Sequence, residues 1–299
     1  MSLEKVHIIE MGPRDGLQNE SQFIPTEMKI AFIKDLIKAG YQSLEVTSFV
    51  NPKALPQMAD ASSVLAGLSD QQEQFFWALI PNLKGFENAR KVNLKGFAFF
   101  AAASEQFSQK NINASIDQSL NRLAEFSSLI RPDEKLRGYI SCCFGCPYQG
   151  DVAISSVLQL IEKLLEHGVC EVSLGDTIGV ARPKQVQTLL KEVQKIVSLD
   201  RIALHFHDTR GMAVANVLAS LQMGVRTFDA SAGGLGGCPY AKGATGNVAT
   251  EDLIYLFEDL GLDHGLNLDQ VIAAAQPILK FLNKPSPSRF HQVYLSQID

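Results

Sequence analysis

Nowhere in the 299 residues is there an apolar run long enough to cross a bilayer. The longest, such as 97–103, stop far short of the roughly 20 residues a spanning helix needs. Residues 1–9 carry neither a long apolar core nor a small-residue cleavage site, so no secretory signal is visible. Basic charge is also scarce. With 27 Lys and Arg against 32 Asp and Glu, the net charge is −5, and no positive field exists to hold a phosphate backbone. Nucleic-acid binding is excluded on that ground. Five cysteines, an odd number in a long chain, do not make a disulfide framework and point to reduced thiols in a reducing compartment. The expectation is a cytoplasmic protein with no membrane partner. There is no dividing linker, low-complexity tract or residue-level repeat. What is present is ordinary for a globular chain: 46% apolar and 20% charged residues. At this length folding hides roughly 75% of the unfolded surface, so a large core is available without staples.

Short β-branched or aromatic runs alternate with longer amphipathic ones. Strands are expected over 6–11, 43–49, 75–80, 96–102, 136–144, 170–174, 202–207 and 227–232. Helical periodicity falls between them, over 27–39, 60–67, 83–92, 115–130, 154–167, 184–197, 212–223 and 251–260. In the first helix Met28, Phe32, Leu36 and Ala39 share a face, and Gly40 stops it. Eight strand–helix units imply a parallel sheet with crossover connections. Closure into a (β/α)8 TIM barrel removes the unpaired edges that an open eight-stranded sheet would leave. The whole chain, 1–299, is therefore read as one barrel domain, with 261–299 supplying an extra C-terminal helix over 269–282 and a loop or tail.

The unusual residues fall where the strands end, the rim on which barrel enzymes carry their chemistry. The first strand runs into Gly12-Pro13-Arg14-Asp15-Gly16, where Arg14-Asp15 reads either as a surface ion pair or as a site pair. Glu45, flanked by apolar residues in a buried parallel strand, must point at something polar. Asp176-Thr177, after the sixth strand, reads either as a helix cap or as catalytic. On the seventh strand His205 and His207 stand two apart, so both imidazoles project to one face while Phe206 packs on the other. Two imidazoles on one face beside acidic residues favour metal ligation. The last strand opens into a glycine-rich segment, 233–247, with Cys238 in its middle. That segment permits close backbone approach to a ligand. Its spacing fits neither a dinucleotide fingerprint nor a P-loop.

Asp15, His205 and His207, with an amide oxygen from Asn247, make a mixed nitrogen and oxygen set suited to Mg²⁺ or Mn²⁺, with Zn²⁺ and Fe²⁺ also compatible. Cys143 and Cys146 form a lone C-x-x-C without a second pair, and Cys142 and Cys170 read as small buried apolar residues.

The segments 12–20, 173–180, 205–209 and 234–247, together with 81–87 and 110–113, resemble the 3-hydroxy-3-methylglutaryl-CoA lyase family over nearly the whole chain. Arg14-Asp15 and 205–208 resemble a wider group of metal-dependent barrel lyases and Claisen-type synthases. The Cys238 segment and 16–20 are particular to the lyases. The resemblance implies Asp15, His205, His207 and Asn247 as metal ligands and Arg14 as the group that stabilises an enolate. It implies Cys238 as a thiol in proton transfer, with Glu45 and Asp176 as further acidic positions and His205 or Asp176 as the first base. The implied reaction is retro-Claisen cleavage of (S)-3-hydroxy-3-methylglutaryl-CoA to acetoacetate and acetyl-CoA, a step of leucine degradation and ketone-body formation, by a homodimer. The alternatives are cleavage of a related 3-hydroxyacyl-CoA and Claisen-type synthesis on the same barrel. Arg210 and Lys242 stand where relatives carry uncharged residues, and Lys84, Lys110 and Lys242 are candidates for phosphate contact.

Overall fold

The computed structural model describes residues 3–71, 73–237 and 246–297. Eight parallel strands close on themselves in chain order: β1 His7–Glu10, β2 Ser43–Ser48, β3 Phe75–Leu79, β4 Gly96–Ala102, β5 Lys135–Ser141, β6 Glu171–Asp176, β7 Ile202–Phe206 and β8 Thr227–Ala230. The seam between β8 and β1 runs from His7 opposite Thr227 to Glu10 opposite Ala230. Alternate strand residues belong to two separate apolar clusters, as a period of two requires. Ile8, Val46, Ala78, Phe97, Leu136, Leu204 and Phe228 join the large cluster with the surrounding helices. Ile9, Met11, Trp77, Leu79, Ala98 and Tyr139 form the smaller one in the barrel interior.

The helices are α1 Thr26–Lys38, α2 Ala61–Ala66, α3 Leu83–Lys91, α4 Glu105–Ile112, α5 Ile116–Ser127, α6 Ile154–Glu166, α7 Pro183–Val193, α8 Ala213–Met223, α9 Thr250–Asp259, α10 Leu268–Leu282 and α11 Arg289–Ser296. Gly40, just past α1, has φ of +106°, and an added Cβ would lie 2.4 Å from the carbonyl oxygen of Gly265. The stop read from the sequence is thus also a close backbone approach.

Two helices were not expected. Helix α4 has too few apolar residues for a periodic stripe. It is set instead by its ends: the Ser104 hydroxyl accepts the Phe107 N–H at 3.2 Å, and Asn113 terminates it at φ of 49°. Helix α11 lies in the stretch read as tail, capped by Ser288, which accepts the His291 N–H at 3.1 Å. A third departure is Cys170, which is exposed, whereas Cys142, Cys143 and Cys146 are buried. No helix among the described residues is long and apolar enough to cross a membrane.

Candidate active site

Directly after β1 the chain makes a short π-helical turn over Gly12–Gly16. Such turns often mark functional sites. Its root is held by the buried Glu10 carboxylate, which accepts the N–H groups of Gly12 at 2.8 Å and Ala232 at 2.9 Å. Arg14 and Asp15 are thereby presented side by side at the rim, the Arg14 guanidinium donating to Asp15 Oδ1 at 2.6 Å. Gln18 Nε2 donates to the same oxygen at 2.8 Å. The other side of Arg14 donates to Glu45 of β2, which also accepts the Tyr139 hydroxyl of β5. The polar destination required of Glu45 is therefore Arg14 and Tyr139.

His205 and His207 point the same way, with their Nε2 atoms 3.2 Å apart. Asp15 Oδ2 lies 3.9 Å from His205 Nε2 and 3.7 Å from His207 Nε2. Three potential ligand atoms thus fall within 4.8 Å of one another. Phe206 faces away and packs near Phe144, ring centres 5.8 Å apart. A divalent ion bound at about 2.1 Å separates adjacent donors by roughly 3.0–3.4 Å, so this cluster needs only a slight contraction to hold one.

Asn247 is brought in by a bridge between its backbone and that of His207. Its Nδ2 donates to Asp15 Oδ2 at 2.9 Å and to the Leu235 carbonyl at 3.2 Å. Its Oδ1 is buried and has no hydrogen-bond partner among the described residues. A buried acceptor left over beside a carboxylate and two imidazoles is what a cation would satisfy, so the donor set fits a divalent ion.

Electrostatics agree with that fit. Burial alone would raise the Asp15 carboxyl, but Arg14 and the two imidazoles hold it far below the usual carboxylate range. Glu45 goes the other way, because its burial outweighs Arg14 and Tyr139. Asp176 is also pushed up by burial, yet both its oxygens are engaged, accepting the N–H groups of Val180 at 2.9 Å and Ala181 at 3.0 Å. The carboxylate shapes the turn ahead of α7, close to the capping reading.

A cavity of about 310 Å³ opens beside the cluster, lined by Arg14, Asp15, Tyr139, Thr177, His205 and His207 among others. The Arg210 guanidinium donates to the Ile178 and Gly179 carbonyls, each at 2.9 Å, and so braces the same turn. Lys84 lines a separate cavity formed with the segment after β2, while Lys110 is exposed on α4. Cys238 and Lys242 lie outside the described residues. Three site residues escaped the sequence reading: Arg137, Tyr139 and Asp229. Each is a polar or charged residue at a buried strand position, the signal that singled out Glu45.

A closed (β/α)8 barrel whose polar side chains converge on the carboxyl-end rim around one cavity defines a barrel enzyme. The HMGL-like family model matches residues 5–278, and the chain belongs to that family. A Pseudomonas aeruginosa protein, the 3-hydroxy-3-isohexenylglutaryl-CoA/hydroxy-methylglutaryl-CoA lyase, is 48% identical over 98% of this chain and 98% of its own. The hydroxymethylglutaryl-CoA lyase of Bacillus subtilis is 46% identical, with 98% of each chain covered. The crystal structure of hydroxymethylglutaryl-CoA lyase from Pseudomonas aeruginosa superposes with a TM-score of 0.95, covering 99% of this chain and 100% of that one.

Proposed function

We propose that the protein is a carbon–carbon lyase that cleaves (S)-3-hydroxy-3-methylglutaryl-CoA to acetoacetate and acetyl-CoA. Membership of the family supports the reaction class. The observation that carries the assignment is Asp15, His205 and His207 meeting within 4.8 Å on the rim with Arg14 against Asp15. Asp15, His205, His207 and Asn247 would hold a divalent ion, Mg²⁺ or Mn²⁺ by the hardness of the oxygen donors. Such an ion supplies Lewis acidity toward the substrate's hydroxyl and carboxylate oxygens.

The chain's own residues do the rest. Arg14, locked by Glu45 on one side and Asp15 on the other, presents its fixed fork of donors to the thioester oxygen, where negative charge develops as the carbon–carbon bond breaks. Glu45 serves as the brace that keeps that fork in place, and Tyr139 steadies Glu45. The substrate's hydroxyl proton leaves to water in the open cavity as the ketone forms, and Cys238 donates a proton to the enolate carbon, its thiolate being reprotonated from solvent. A thiol of ordinary pKa, about 8.5, is a competent acid for a far more basic carbanion. Asp176 shapes the adjoining turn, and no proton transfer is assigned to it. The protein works as a cytoplasmic homodimer in leucine degradation and ketone-body formation, the whole chain forming one catalytic barrel.

Incubation with 3-hydroxy-3-methylglutaryl-CoA should release acetoacetate when Mg²⁺ or Mn²⁺ is supplied and not after chelation. No product under either condition overturns the proposal. The substrate range of the Pseudomonas relative favours one second reading, cleavage of a branched 3-hydroxyglutaryl-CoA with a longer side chain, to be compared by kcat/KM. Consumption rather than release of acetyl-CoA would mark a Claisen-type synthase.

A further inference from the structure

Below the rim the barrel interior holds a second layer of charge, and the inference drawn from it rests on the metal reading and extends it. Asp229 of β8 stands opposite His205 of β7 in the strand register, so the two side chains share the inward face. Asp229 Oδ2 lies 3.2 Å from His205 Nδ1. The same oxygen accepts the Ser173 hydroxyl at 2.8 Å and Arg137 Nη1 at 3.2 Å, while Oδ1 accepts Arg137 Nη2 at 2.8 Å. Asp229 and Arg137 are both fully buried. Arg137 is itself fixed, donating to Glu171 at 2.7 Å and to the Tyr139 hydroxyl at 2.6 Å.

Those neighbours of the Asp229 carboxylate are donors, and an ionised carboxylate has no proton to give. A bare ring nitrogen facing it at 3.2 Å would set lone pair against lone pair in a buried site. We propose that Asp229 is a positioning residue: it keeps the His205 proton on Nδ1 and fixes the ring plane, so that the Nε2 lone pair is aimed at the space between Asp15 and His207. Arg137 and Ser173 hold the carboxylate in register from below. Metal-binding histidines commonly donate their second N–H to such a group, and its loss typically weakens metal affinity by 10–100-fold.

Two measurements test this, and neither depends on turnover. In metal-free protein labelled with ¹⁵N at histidine, at a pH where the ring ¹⁵N shifts themselves report one protonated and one bare nitrogen, His205 should show the Nδ1–H tautomer. Its signals are identified by their loss in His205→Gln. In Asp229→Asn the amide can donate to Nδ1 instead, so the proton should move to Nε2. Calorimetric Mn²⁺ affinity should fall 10–100-fold, with circular dichroism and a cooperative melt unchanged. A wild-type His205 carrying its proton on Nε2 overturns the proposal, and this reading decides the matter even where Asp229→Asn fails to fold. A folded Asp229→Asn that binds Mn²⁺ as the wild type does removes the positioning role and leaves the metal reading standing. Absence of Mn²⁺ binding by the wild type removes both.

Discussion

Glu10 is wholly enclosed at the end of β1, and burial pushes its carboxyl from the ordinary 4.5 up to about 7, against the opposing help of two backbone N–H groups. The folded state therefore keeps this proton through a window in which the unfolded chain has lost it. Below about pH 4.5 the group's contribution is fully present. As pH rises through about 7, roughly 3 kcal/mol of it is lost. Glu10→Gln removes that dependence. The expected outcome is that the variant gains on the wild type between pH 5 and 8, read as the difference in urea midpoint; a constant difference would show that Glu10 does not titrate in the window. Activity gives a second prediction at this scale. Cys238→Ala should lower kcat severely and leave calorimetric Mn²⁺ binding intact. Unchanged turnover would take the thiol out of the proton transfer.

At the scale of elements, the strands and the turns that follow them carry the site. At the Gly40 turn a Cβ would meet the Gly265 carbonyl at 2.4 Å, and the backbone stands at φ of +106°. Gly40→Ala combines an unfavourable conformation with a backbone clash, and its cost should be on the order of 1–3 kcal/mol, seen in thermal or urea unfolding. The turn is not part of the rim formed by Arg14, Asp15, His205 and His207, so KM and kcat of the surviving folded fraction should not change. Of the elements themselves, the eight strands were legible as short β-branched and aromatic runs buried on both faces, and most of the helices between them because each buries one face and so carries a period of 3.6. Helix α4 was not legible. Its order comes from a serine cap and an asparagine in left-handed conformation, local hydrogen bonds that leave no apolar stripe.

At the scale of the whole molecule, the barrel core does not depend on the ion. Most of its buried apolar residues form one continuous cluster between sheet and helices. Chelation should therefore abolish activity while leaving the circular dichroism spectrum intact, and Mg²⁺ or Mn²⁺ should restore turnover. An ion that binds only the folded state adds about 2.7 kcal/mol at a hundredfold excess over its Kd, so Mn²⁺ should also raise Tm measurably. Activity that survives exhaustive chelation would refute the metal-assisted reading. Coupling across the molecule is visible in the chain of contacts running from His205 through Asp229, Arg137, Tyr139 and Glu45 to Arg14. Four strands and the turn after β1 contribute to it, and no two of these residues except Arg137 and Tyr139 are near one another in sequence.

The amino-acid order alone determined the repeating strand–helix alternation, the stop at Gly40, and the shared face of His205 and His207, because each follows from local geometry within a few residues. It also marked Glu45 as needing a polar partner without saying which. Only closure of the barrel chose Arg14 and Tyr139 for that role, set Asp15 within 4 Å of both imidazoles and placed Asp229 behind His205. The physical reason is register: adjacent parallel strands are joined through long crossovers, so which residues face each other across the barrel is fixed by packing of the whole and not by any spacing along the chain.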